Sequence, residues 1–246
     1  MINSKSLILV SILIIGGVAA GFYYANRDIP PQAAGVIDSP PVTTEPDPSK
    51  EMPDTRTFLE VPYTSETPTG SWDAPWNNAC EEAAITMVDK YYYGAKTITK
   101  TEAKEAMEKL FAVQDRIWNH NANSDAKRME QLINDHQSFS AKIKENPTLE
   151  EIKEEIRSGR PVITLHYGFA LGNKNIPFRP DGSSYHTLVV TGFDEATGEF
   201  ITNDSGDAKE GEGRRYKYEV LVSSLHDYDY KQQKANGPAR VLFTDK

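Results

Sequence analysis

The sequence predicts an α+β domain, a helical part followed by an antiparallel sheet. Three observations predict it. Apolar residues recur at helical spacing from Cys80 to His136 and again after Thr148. From Pro161 onward the spacing changes to short runs rich in Val, Ile, Leu and Thr. Turn residues such as Asp194-Glu195-Ala196-Thr197-Gly198 then separate those runs.

The elements follow in order. Phe58 to Tyr63 reads as a short strand or extended arm. A helix is expected from Cys80 to about Tyr92, with Ala84, Met87, Val88 and Tyr91 on one face. Thr99 and Glu102 form a capping box that opens a second helix toward Trp118. Ser124 is expected to cap a third helix ending near His136, and Thr148 with Glu151 opens a fourth that stops at Gly159. Strands are expected at Pro161–Tyr167, His186–Phe193, Glu199–Asn203, Arg215–Tyr218 and Arg240–Thr244, with a short helix near Val220–Tyr228.

Before this domain (57–246) lie two segments of different character. Leu7 to Tyr24 carries no charge and, at about 1.5 Å per residue, is just long enough to cross a bilayer core. Lys5 favours an N-terminus inside, so residues 1–25 read as a signal anchor with everything after them outside the cytoplasm. A signal peptide cleaved near Val18-Ala19-Ala20 is the alternative. Residues 26–56 hold seven of the 15 prolines and almost no large apolar side chain, as a disordered tether would.

Composition narrows the function. The net charge of −9 and the lack of any basic cluster longer than Arg214-Arg215 with Lys217 argue against nucleic acid as a partner. A single cysteine, Cys80, excludes an intrachain disulfide or a site of several thiolates. No phosphate-loop, dinucleotide or zinc-peptidase motif is present, so no cofactor or metal is expected. The acidic stretch containing Asp204, Asp207, Glu210 and Glu212 lacks Ca²⁺-loop spacing and reads as a solvated loop.

Cys80 stands at a predicted helix start, where free N–H groups favour a thiolate, although Glu81 and Glu82 follow it directly. A nucleophilic thiol needs a base. Of the five histidines, His120 and His136 fall at helix ends, His226 in a short polar helix, and His166 at the end of an apolar strand as a hydrogen-bonded core residue. His186 opens a strand after a long polar loop, the placement expected of a catalytic group. If Phe193 pairs with Glu199, the hairpin brings Asp204 opposite His186 to within a bulge, and alternation leaves Asn203 facing away. Trp72, Trp76 and Tyr63 read equally as cleft walls or as core.

These residues resemble a family. Val61-Pro62-Tyr63, Trp72 and Asn78-Ala79-Cys80-Glu81-Glu82-Ala83 look like the nucleophile segment of peptidase C39-like proteins. His186-Thr187-Leu188-Val189-Val190-Thr191-Gly192-Phe193-Asp194 resembles their histidine strand, and Asn203-Asp204-Ser205-Gly206 their aspartate turn. The resemblance implies a papain-like fold, with helices carrying Cys80 as nucleophile and the sheet carrying His186 as base and Asp204 as its orienter. It further implies hydrolysis of a peptide or protein substrate through an acyl-enzyme. Apart from the resemblance, a monomer is expected that meets the membrane only through the N-terminal helix. A glutamine that helps bind the oxyanion is common in the family six residues before the cysteine. Ala74 stands there in this sequence, which leaves Asn77 and Asn78 as candidate donors. Amide hydrolysis or acyl transfer in cell-wall peptides would use the same constellation, and a non-catalytic binding module would keep the cleft without the reaction.

Overall fold

The computed structural model describes residues 56–119 and 122–246, so the expected signal anchor, nearly all of the tether and His120 lie outside it. Among the described residues no helix is long and apolar enough to cross a membrane. The elements run β1 (Arg56–Phe58), α1 (Cys80–Tyr92), α2 (Lys100–Trp118), α3 (Ala126–His136), β2 (Ser140–Glu145), α4 (Leu149–Arg157) and β3 (Val162–Tyr167). They continue with β4 (Tyr185–Asp194), β5 (Glu199–Asn203), β6 (Arg214–Lys217), α5 (Tyr218–Ser223), β7 (Tyr228–Asp229), β8 (Lys234–Ala235) and β9 (Arg240–Asp245).

Both capping boxes form as the sequence dictates. Thr99 accepts from the Glu102 N–H and Thr148 from the Glu151 N–H, each glutamate reaching back to its cap. The third helix is capped differently: Asp125, not Ser124, accepts from the Arg128 N–H, because Ser124 is drawn into the interior.

The antiparallel sheet has the order β2-β9-β3-β4-β5-β6, and β1 takes the edge of β4 beyond the end of β3. Alternation along the central strands divides the core. Ile163, Leu165, Val189 and Leu242 pack with Ala84, Met87 and Val88 of α1 and Met129 and Leu132 of α3. Val162, Leu188, Val190 and Val241 pack with Ile152 and Ile156 of α4 and Leu221 of α5. Helices therefore cover both faces, and the central strands are apolar on both sides.

Strand β2 was not foreseen. Ser140-Ala141-Lys142-Ile143-Lys144-Glu145 carries only two apolar residues, yet it pairs along its whole length with β9. The hairpin register also differs from expectation. Phe193 pairs with Phe200 rather than Glu199, and a bulge lies between Val190 and Gly192. His226 is not helical; it follows α5, and its N–H donates to Leu165 O at 3.0 Å.

Candidate active site

The antiparallel arrangement of β4 and β5 puts the start of one and the end of the other at the same end of the sheet. Helix α1 begins there with Cys80. Its preceding residue, Ala79, provides no side-chain cap, so the first N–H groups of α1 lack a capping acceptor.

His186, 3% exposed, lies one residue into β4, directly opposite His166 on β3. Asp204 is not its ladder partner, because β5 ends at Asn203. The turn Asp204-Ser205-Gly206 carries the carboxylate across instead, and His186 Nε2 lies 2.7 Å from Asp204 Oδ1. Asn203 faces elsewhere, donating through Nδ2 to Val61 O at 3.0 Å.

Asp204 is fully buried and held on every side. Its Oδ2 accepts from Tyr216 Oη at 2.6 Å and Asn173 Nδ2 at 3.1 Å, and its Oδ1 also accepts from the Gly206 N–H at 3.3 Å. Burial alone would raise its pKa, but the His186 charge and these hydrogen bonds lower it to about 2. Burial likewise opposes protonation of His186, and the Asp204 charge and hydrogen bond overcome it, raising the imidazole above its ordinary pKa. Two glycines make room for this arrangement. A Cβ on Gly206 would stand 2.9 Å from His186 Cε1, and one on Gly211 2.0 Å from Asp204 O.

Cys80 is 3% exposed, and its Sγ–H donates to Glu81 Oε2 at 3.0 Å rather than to the imidazole. A His186 ring nitrogen, Cys80 Sγ and a Glu66 carboxyl oxygen all lie within 4.8 Å of one another. Burial first, then the charge of Glu81, pushes the thiol pKa well above its usual value. Glu81 is fixed in turn, since its Oε1 accepts the Ser124 N–H at 2.6 Å. That bond is what draws Ser124 inward.

The site opens into a cleft of about 510 Å³, lined among others by Trp72, Asn77, Asn78, Ile176, Pro177 and Phe178. The Phe178 ring lies 5.1 Å from the His186 ring, centroid to centroid. Asn77 and Asn78 stand on a short 3₁₀ turn just before α1, both exposed at the cleft. Trp72 is a cleft wall, whereas Trp76 packs edge-on against Phe111 in the core. Tyr63 reaches the turn from outside, its hydroxyl donating to Asp207 O at 3.0 Å.

The other histidines are accounted for. His166 is fully buried between Ser224 Oγ and Thr164 Oγ1, and burial lowers its pKa to about 3, so it is the core residue the sequence suggests. His136 is exposed at the end of α3. The acidic loop is solvated only in part: Glu210 and Glu212 are exposed as expected, whereas Asp204 is buried and Asp207 is 1% exposed and bound to Asn173, Asn175 and Arg214.

Sequence reasoning missed Glu66. It sits 14 positions before Cys80 on the arm after β1, and among Thr, Ser and Pro it reads as a surface residue. Only the fold of residues 59–79 returns it to the cysteine.

Comparison with known proteins gives the family. The model of the Peptidase_C39 like family matches residues 58–236. The chain belongs to that family. A crystal structure from Bacillus anthracis, assigned as a C39-like peptidase, superposes with a TM-score of 0.50 at 14% identity, covering 78% of this chain and 99% of that one. That likeness supports the α+β, papain-like fold. No curated protein matches the chain.

Proposed function

We propose that this C39-like chain is a cysteine peptidase in which Cys80 attacks a peptide carbonyl, His186 moves the proton and Asp204 orients and stabilises the imidazole. The observation that carries it is the 2.7 Å His186–Asp204 bond beside a ring nitrogen within 4.8 Å of the thiol. Because Nε2 is held by Asp204, Nδ1 is the nitrogen left to receive the thiol proton.

The surroundings favour a neutral resting thiol, so attack is general-base assisted and does not start from a standing thiolate. As the S–C bond forms, the proton passes to His186 and Asp204 stabilises the cation. The same proton then goes to the leaving amine as the C–N bond breaks. Water, deprotonated by His186, hydrolyses the thioester. The substrate enters the cleft that Trp72 and Ile176-Pro177-Phe178 line.

Peptide hydrolysis by purified variants tests this. Cys80→Ala should fall to background and His186→Ala by roughly 10³-fold. Asp204→Asn should be milder, because an amide still orients imidazole but stabilises its cation less well. Wild-type turnover in Cys80→Ala would refute the assignment.

The same proposal places the domain outside the cytoplasm on an N-terminal anchor, on the strength of the uncharged run Leu7–Tyr24. Full-length protein should stay in the membrane fraction through a high-salt wash. Recovery only of a soluble form beginning near Ala20 would contradict the anchor.

A further inference from the structure

Glu66 is a buried acid that the thiol–imidazole chemistry does not use. It is 6% exposed and lines the cleft, and one carboxyl oxygen lies within 4.8 Å of both Cys80 Sγ and a His186 ring nitrogen. Its N–H donates to Ser205 O at 3.0 Å, tying the arm to the aspartate turn. Beside its carboxyl stands a neutral hydroxyl, that of Ser205, which has no other hydrogen-bond partner among the described residues. A buried carboxylate with no cation of Lys or Arg beside it is costly, and a negative charge here would oppose both thiolate and oxyanion. A neutral carboxylic acid has neither fault, and it carries an O–H that can donate.

Building on the peptidase reading, we propose that Glu66 is a further catalytic residue, a protonated acid that donates a hydrogen bond to the oxyanion formed when Cys80 attacks. The spacing suits the task. Donors act at about 2.7–3.1 Å from the oxyanion, and a Glu66 carboxyl oxygen within 4.8 Å of Sγ is near enough to reach one formed there. The exposed Ala74 offers no side-chain donor. In this step the S–C bond forms, the carbonyl π-electrons move to oxygen and the thiol proton goes to His186. The Glu66 proton stays on Glu66, shared with the oxyanion until the carbonyl re-forms.

The surroundings keep that proton in place. Burial raises the Glu66 pKa to about 7, and the charges of Asp204 and Glu81 act in the same direction against the opposing pull of the His186 charge and the Ser205 hydroxyl. The groups facing it are thus Cys80 and Glu81 of α1, His186 of β4, and Asp204 with Ser205 of the turn after β5.

Two reagents separate this role from others. Acetylation of Cys80 by p-nitrophenyl acetate passes through an oxyanion, whereas alkylation by iodoacetamide does not. At pH 6, Glu66→Ala should slow acetylation by roughly 10²-fold without slowing alkylation. Glu66→Gln, which supplies an N–H donor, should recover about tenfold of that loss. As pH rises through 7, the wild-type to Glu66→Gln acetylation ratio should fall further than the corresponding alkylation ratio, because only wild type loses its donor. A wild-type protein that acetylates while Glu66→Ala keeps pace overturns the proposal alone, as does a Glu66→Gln no faster than Glu66→Ala. If wild-type Cys80 reacts with neither reagent, the peptidase reading fails and this proposal with it.

Discussion

At the scale of single residues, the unusual feature is the company Cys80 keeps. A cysteine at a helix start is ordinarily favoured as thiolate by the free N–H groups. Here burial and the buried carboxyl of Glu81 outweigh that preference, and Glu81 takes the S–H hydrogen bond directly. Glu81→Gln keeps a carbonyl oxygen for the Ser124 N–H and turns an amide donor toward the sulfur. Alkylation of Cys80 by iodoacetamide at pH 7 should therefore speed up by roughly tenfold, one pKa unit of thiol stabilisation. An unchanged or slower rate would show that Glu81 does not control the thiol.

At the scale of elements, two glycines near Asp204 serve different ends. A Cβ on Gly211 would collide with the backbone oxygens of Asp204 and Asp207, at 2.0 and 2.5 Å, and neither can step aside cheaply. A Cβ on Gly206 would meet mainly the His186 ring and Ile176 Cδ1. Gly211→Ala should cost at least about 2 kcal/mol in denaturant unfolding. Gly206→Ala should leave most of the stability and reduce turnover by displacing the imidazole.

Much of this architecture was legible because local rules decide it. The two capping boxes, the helix at Cys80 and the strand Glu199–Asn203 need nothing beyond neighbouring residues. Strand β2 was not legible, since its pairing with β9 is supplied by a segment about 100 positions away. The His186–Asp204 partnership was readable, but the wrong geometry carried it: a turn past the end of β5 makes the contact, not a ladder pair. Glu66 was invisible for the same reason as β2. No local pattern distinguishes an acid that the fold later buries.

At the scale of the whole domain, helices pack on both faces of the sheet, and the cleft lies at the end where α1, β4 and the β5 turn converge. Asp204 and Asp207 are anchored from several elements at once: Tyr63 on the arm, Asn173 before β4, and Arg214 and Tyr216 on β6. Such a frame pre-organises the imidazole without help from substrate. The most direct test is rapid-quench mass spectrometry after mixing with p-nitrophenyl acetate. Wild type should gain one acetyl group, mapped to the peptide containing Cys80, and His186→Ala should gain it at least about 10²-fold more slowly. No adduct on Cys80, or equal rates in the two proteins, would contradict the account.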